Sequence, residues 1–494
     1  MKSFFVLIIG LFFLSACSSR QETADIRFGL SAPPVTLDPR YSTDAESSRL
    51  MRLFYVALTD FDEQLKPIPK LATWEQISPL HYRFYLHDQM RQFVDGSYLS
   101  SQDVKATFLS ILDPKTASPH RGTLSIIQDI QTLDNHTIDF LLNKANPLFP
   151  SLLNIGILPA HLIEKNHSFN RDPIGSGEFQ FLKWTPDGQI HCERRFDQQK
   201  VVFIPVKDPL VRVLKFLHGE IDLLQSNLPA ELVTFLKEKS AFKFEQLAGS
   251  NFVYIGFNLQ DAATQNILVR RAISYAIDRE SIIHYVLGNA AHLAHALLPP
   301  THWAGNPNLQ GFSYQPEKAK QLLQQAGFSL ENPLKLSFKS SINPLSLRFA
   351  AVLQQQLKQV GIELALSSYD WGTFYSDIKA GRFQLFSLSW VGIKTPDIFR
   401  YAFHSNAFPP AGANRGKYQD NFTDQLIELA ENKANLEDQA PLYQQLQAHL
   451  LETLPYLPLW YEDQYVFYYP SLTNYKLFHD GRYDGLLTVK KQIF

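Results

Sequence analysis

Two histidines three residues apart, His292 and His295, and a serine three residues before a lysine, Ser376 and Lys379, have types and spacing that could do chemistry. On a helix, histidines at i and i+3 could share a metal ion, but zinc needs a third protein ligand and the surrounding sequence offers none. Ser376-Asp-Ile-Lys379 has the spacing of an acyl-accepting serine with its lysine, and Lys394-Thr395 could supply the companion strand. Pro396, however, stands where a glycine would let the backbone approach the acyl group. Ile174-Gly-Ser-Gly177 has the small residues of a phosphate loop without its spacing, and a strand follows it instead of a helix. His-Glu-x-x-His, Gly-x-Ser-x-Gly and Cys-x-x-Cys are all missing. The expectation is a protein that binds and does not catalyse, with no resident metal or cofactor.

One stretch is better suited to binding. From Gly381 to Trp390 the residues alternate, with Gln384, Phe386, Leu388 and Trp390 on one face and Phe383, Leu385, Ser387 and Ser389 on the other. Both faces are largely apolar, as in a strand covered on both sides. The run then meets Val391-Gly392 and the pair Thr395-Pro396. A buried strand that ends on a Trp and opens into a loop sets a flat rigid ring beside free backbone groups, a suitable wall for a ligand cleft.

The elements that must position this wall read as follows. Strands are expected at 26–30, 82–86, 137–142, 179–184, 201–206, 252–258, 334–338, 362–366 and 455–460. Helices are expected at 47–58, from Ser101, at 211–219, 269–277, 316–326 and 349–360, and over 423–453 with a break near Asn435. Arg270 and Arg271 interrupt the apolar face of the 269–277 helix and are expected at a solvated or ion-paired edge. Alternation of strand and helix in the second half argues for an α/β lobe.

At 494 residues the chain exceeds one compact core, and 46 basic against 48 acidic residues without a basic block exclude a nucleic-acid partner. Lys2 followed by the apolar run Phe4–Leu14 is too short to span a bilayer and reads as a signal peptide. Its end, Leu14-Ser-Ala-Cys17, resembles the bacterial lipobox, which implies cleavage before Cys17 and acylation of its thiol. Cys192 then remains as the one free thiol, so no internal disulfide forms. Ser18 to Thr23 would be a polar tether.

Several segments in one order resemble the family 5 solute-binding proteins of bacterial ABC importers, the oligopeptide- and dipeptide-binding type. They are Thr36-Leu-Asp-Pro39, Phe93-Val-Asp-Gly96 with Ser101-Gln-Asp-Val104, Asp113-Pro-Lys-Thr-Ala-Ser-Pro119, Pro173-Ile-Gly-Ser-Gly177 and His218-Gly-Glu-Ile-Asp222. Val269 to Arg279, Ala319 to Gly327, Gly381 to Trp390 and Asn421 to Leu426 complete the set. The resemblance implies an α/β periplasmic-binding-protein-like fold of type II, with two lobes, a hinge and an inserted mostly β domain. Its expected parts are residues 18–46, 165–254 and 465–494 for lobe I, 47–164 for the insertion, and 255–464 for lobe II. Crossovers are expected near Phe252–Asn258 and Tyr465–Tyr469. The implied function is capture of peptides between the lobes and delivery to an ABC permease, by an exported, lipid-anchored monomer facing the periplasm or cell exterior. The implied ligand-binding residues are Val35, His120, Tyr254, Asn258, Ser389, Trp390, Val391, Gly392 and Asp397. Peptide binders of this family carry an Asp three residues after the Trp, which pairs with the ligand's ammonium, and an Arg three residues before it. Here those positions are Ile393 and Ser387. Either Asp397 or another carboxylate holds the amine, or the solute is not a free peptide: a modified peptide, a sugar or a metal chelate. A third expectation is a surface lipoprotein whose fold is reused for adhesion or signalling.

Overall fold

The computed structural model describes residues 24–87 and 91–492. The expected signal segment, Cys17 and the tether lie outside these residues. Among the described residues no helix is long and apolar enough to cross a membrane.

Lobe I is built on the strand Ile26–Leu30, which runs parallel to Lys200–Pro205 on one side and to Leu223–Gln225 on the other. Ile26, Phe28 and Leu30 are buried beneath the helix Ala45–Phe54, whose Leu50, Met51, Leu53 and Phe54 share their core. Asp44 starts that helix by accepting from the Ser47 amide. The turn Ile174–Gly177 packs against its end. The Gly177 amide donates to the Phe54 carbonyl at 2.8 Å. A Cβ on Gly175 would lie 2.1 Å from the Phe54 oxygen, and one on Gly177 2.3 Å from the Leu53 oxygen. Small residues are needed here for close backbone approach, which accounts for the phosphate-loop look of the segment.

The inserted unit is a four-stranded antiparallel sheet in the order Ala72–Ser78, His81–Leu86, Thr137–Leu142, Ile127–Thr132. The helix Ser101–Leu112 covers it and starts with a capping box between Ser100 and Asp103. The core of this unit runs from Val56 to Ile157. The helix expected to open the insertion at residue 47 therefore packs with lobe I, because its apolar stripe meets the lobe I sheet.

Two long antiparallel strands, Lys243–Phe257 and Tyr456–Tyr468, thread both lobes. At one end Tyr456–Tyr468 pairs with Leu223–Gln225 of lobe I, and at the other end Lys243–Phe257 pairs with Leu385–Trp390 of lobe II. Their register slips between Leu247 and Asn251, opposite Glu462–Gln464. Gly249 sits in this bulge, where a Cβ would lie 2.0 Å from the Glu462 oxygen. A second slip, between Val253 and Tyr254, falls within the first crossover expected from sequence. The run Lys243–Ala248, exposed except at half-buried Phe244, carries no regular apolar alternation to mark it as strand.

In lobe II, Leu334–Ser341 lies parallel to Ile362–Tyr369 and to the start of Leu385–Trp390. One sheet face packs on Ile267–Ala276, Pro316–Gln325 and Pro344–Lys358. The other packs on Ile398–Phe403, Asn421–Glu431 and Leu436–Thr453. Asn435 breaks the last two helices apart and caps the second. Arg270 corrects its expected solvated place: it is buried and donates to the Thr264, Gln265 and Thr453 carbonyls at 2.7–2.8 Å. Its planar fork satisfies orphan carbonyls at a helix end, which an ion pair would leave bare.

Candidate ligand site between the lobes

The strand Leu385–Trp390 is paired along one edge, from Phe252 opposite Trp390 to Phe257 opposite Leu385. On its other edge only Leu385 and Phe386 have partners, Phe338 and Lys339. Ser387 to Trp390 thus present an edge with no ladder partner among the described residues. Leu388 and Trp390 pack beside Phe252, Tyr254 and Phe386, as the alternation predicts, while Ser389 is exposed. Gly392 ends the ledge at φ +72, a conformation that glycine adopts without strain.

Trp390 is half-buried between two groups. The Tyr401 ring meets it edge-on at 6.2 Å. The Arg415 guanidinium lies over it, 5.0 Å from the ring centre. Arg415 also donates from Nη1 to the Tyr254 hydroxyl at 3.1 Å and from Nη2 to the Tyr375 hydroxyl at 3.3 Å. Tyr254, Trp390 and Arg415 border a cavity of about 30 Å³ that Phe386 and Tyr456 also line. Burial pushes the Tyr254 hydroxyl's pKa up against the opposing charge of Arg415, so the phenol keeps its proton. Sequence reasoning named Tyr254 but missed Tyr375 and Arg415. Tyr375 lies on the helix Trp371–Lys379, which was not expected, and Arg415 on an irregular segment with no periodicity.

Beyond the ledge, Ile393 packs against the same aromatic cluster. The Lys394 carbonyl accepts from His302 Nε2 at 3.1 Å, while His302 Nδ1 accepts from the Ala304 amide at 2.9 Å, which assigns the proton to Nε2. The Lys394 ammonium reaches across to lobe I, 5.0 Å from the Phe61 ring centre. Burial, with Arg52 nearby, lowers its pKa against the pull of Asp480 and Asp60. Asp397 begins the helix Ile398–Phe403 and accepts from the Thr395 hydroxyl. The residue is exposed to solvent, while the protein packed around its carboxyl, with Glu431, raises its pKa. Among the described residues no cation pairs with it.

The other expected residues are more dispersed. Val35 is exposed, with its amide donating to Ser47 Oγ at 3.0 Å. His120 is half-buried, its pKa lowered by burial, and its Nε2 has no hydrogen-bond partner among the described residues. Asn258 is occupied elsewhere: its side-chain amide donates to the Phe383 carbonyl at 2.9 Å, and its oxygen accepts from the Gln260 amide at 3.1 Å. The two candidate metal-ligating histidines do not share a helix: His292 lies on the strand Ala291–Leu293 and His295 beyond its end. His292 Nδ1 meets Asp463 at 2.7 Å, and His295 Nδ1 accepts from the Gly311 amide. Among the described residues no group of three or more His, Cys, Asp or Glu could hold a metal. Asp377, inside the Ser-x-x-Lys segment, pairs with Lys339 and Arg382.

The lobes touch around this site. The Trp303 amide donates to the Gln64 carbonyl at 2.9 Å, and Arg348 pairs with Glu231.

Residues 66–408 match the bacterial extracellular solute-binding proteins, family 5 (middle). The chain belongs to this family. It is 26% identical to the oligopeptide-binding protein AppA of Bacillus subtilis over 97% of this chain and 96% of that one. It is also 26% identical to the heme-binding protein A of Haemophilus influenzae over 82% and 81% of the respective chains. Among solved structures, NikZ from Campylobacter jejuni in complex with Ni(L-His) superposes with a TM-score of 0.79 at 25% identity, covering 95% of this chain and all (100%) of that one. The two-lobed family 5 fold with its extra domain is thus established, and with it membership of a solute-binding transport family.

Proposed function

We propose that this family 5 protein captures peptides in extended form between its lobes and delivers them to an ABC transporter permease. In this reading it is exported, anchored through acylated Cys17 and works as a monomer. Lobe I comprises the segments around the strands 26–30, 200–205 and 223–225, the insertion begins after Tyr55, and closure bends the bulge at 247–251. The observation that carries the reading is the unpaired edge Ser387–Trp390. An extended main chain can add there as a strand, so that affinity comes from backbone hydrogen bonds and side chains need not be specified. The name of AppA as an oligopeptide-binding protein supports it. Asp397 is the carboxylate available to the ligand's ammonium, since desolvation without a cation is what keeps its pKa raised.

A second reading rests on Ile393, whose apolar packing puts no charge at the position where peptide binders carry Asp. It takes an amine-blocked or non-peptide solute, in line with the heme-binding protein A of Haemophilus influenzae and with NikZ in complex with Ni(L-His). Calorimetry with di- to pentapeptides, free and N-acetylated, separates the two. We expect acetylation to weaken binding about tenfold or more, the scale of one lost charge-assisted contact. We expect Asp397→Asn to weaken the free peptides and leave the acetylated ones unchanged. Equal affinity for both forms moves the assignment to the second reading.

A further inference from the structure

The geometry points to Arg415, with Tyr254 and Tyr375, as a receptor for one carboxylate of the solute, set into the ledge behind Trp390. This assignment rests on the reading of the cleft as the solute site and adds the chemical class of what enters it.

Arg415 is a cation without a counter-ion. Among the described residues no Asp or Glu oxygen lies within salt-bridge distance of it, and its two hydrogen bonds go to neutral phenols. A guanidinium has five N–H donors; with two used, three remain without a protein acceptor among the described residues. The ring faces of Trp390 and Tyr375, 5.0 and 5.6 Å away, hold the group in place without neutralising it.

The tyrosines face the same task. Each phenol oxygen accepts from Arg415, so each hydroxyl proton is directed elsewhere and is free to donate. Burial keeps the Tyr254 proton in place. Two donor groups, the charged Arg415 and the Tyr254 hydroxyl, border a cavity of about 30 Å³, and Tyr375 meets the same guanidinium from outside its lining. A single ordered water needs roughly 10–15 Å³ on this measure, so the space suits two waters or one planar acid group, and not a whole side chain. A carboxylate offers two oxygens in the plane that a guanidinium fork matches, and such charge-assisted pairs are the stronger hydrogen bonds. A neutral amide of the same shape would put an NH₂ group against the guanidinium and the Tyr254 hydroxyl, both donors.

The carboxylate can be a peptide's own C-terminus or an acidic side chain, and the probes separate these sources. Binding of Ala-Ala-Ala, Ala-Ala-Ala-amide and Ala-Glu-Ala-amide, and of nickel–histidine chelate as a non-peptide acid, is measured by calorimetry on wild type, Arg415→Gln and Tyr375→Phe. Wild type is expected to prefer an acid over its neutral counterpart by about ten- to hundredfold. If the source is the C-terminus, Ala-Ala-Ala is the tight ligand; if it is a side chain, Ala-Glu-Ala-amide is. Arg415→Gln is expected to erase the preference, so that acid and amide bind it with equal affinity. Tyr375→Phe, which removes one donor at the cleft rim, is expected to reduce the preference severalfold with the melting temperature unchanged. Peptides that bind with equal affinity as acid and amide overturn the assignment and leave the peptide reading standing. If no peptide binds but the chelate does, and Arg415→Gln abolishes it, the carboxylate receptor stands and the peptide reading falls. Failure of every acid probe to bind, or an acid preference that survives Arg415→Gln, overturns it.

Discussion

On the lobe I wall of the cleft, Arg52 is met by two carboxylates, Asp60 at 2.8 Å and Asp484 at 2.8 Å, with Arg482 3.9 Å from both. On the lobe II wall, Arg415 is met by two phenols and two aromatic faces. Both arginines are partly withdrawn from water, but only the first has its charge cancelled by the protein. A cancelled charge holds elements together: here it ties the helix Ala45–Phe54 to the strand Thr59–Phe61 and to the C-terminal segment. An uncancelled one keeps its binding capacity for something that arrives later. The contrast separates a structural arginine from a receptive one without reference to their exposure.

Removing each arginine should therefore have opposite consequences. Arg52→Met leaves two half-buried carboxylates facing each other with Arg482 as their remaining partner, and we expect a loss of about 3 kcal/mol in chemical denaturation. Burial alone would raise the Asp60 carboxyl, but the Arg52 hydrogen bond and charge outweigh it and bring its pKa to about 2. Stability from that pair is complete above the ordinary carboxylate range and is lost as pH falls toward 2, so Arg52→Met should also move acid unfolding to higher pH. Arg415→Gln, with only neutral partners to strand, should change stability by no more than about 1 kcal/mol. Equal losses in the two variants would erase the distinction.

The histidine beneath the ledge gives the next effect in size. Burial holds His302 down to about 4, against the opposing hydrogen bond to the Lys394 carbonyl. Its folded-state pKa lies below the ordinary value of 6.5, so between these pH values the unfolded chain binds the extra proton and stability falls as pH falls. From pH 7 to pH 5 the expected loss is about 2 kcal/mol, read from denaturant midpoints. His302→Gln should flatten that slope, and an unchanged slope would remove His302 as its source.

Much of this was legible in the residues, and the exceptions share a cause. The Trp390 strand, the two α/β helix faces and the break at Asn435 follow from apolar periodicity, because each element buries one regular stripe. The long strand Lys243–Phe257 was read only from Phe252 onward, since its first half is largely exposed with no regular apolar alternation and pairing alone makes it a strand. Arg270 was misplaced because sequence gives charge but not the carbonyls that a helix end leaves open. The ledge was visible and its cation was not: Arg415 lies 25 residues beyond Trp390 in irregular chain, and only the fold brings the two together.

Lys394 offers the smallest effect and the closest test of how the two walls meet. Its ammonium sits over Phe61 and has no carboxylate at salt-bridge distance among the described residues, while Arg52 and Arg482 repel it and Asp60 and Asp480 attract it. Replacing it with Met keeps much of the apolar stem and removes attraction and repulsion together, so the change in stability should stay under about 1 kcal/mol. The contact itself is better isolated by a double-mutant cycle with Phe61→Leu, for which we expect a coupling of about 0.5–1 kcal/mol. Because the pair spans the lobes, the same variants should also increase the radius of gyration of the ligand-free protein in small-angle scattering. A coupling of zero with an unchanged radius would mean that Lys394 does not hold the lobe II wall against lobe I. Closure would then rest on the Trp303–Gln64 and Arg348–Glu231 contacts.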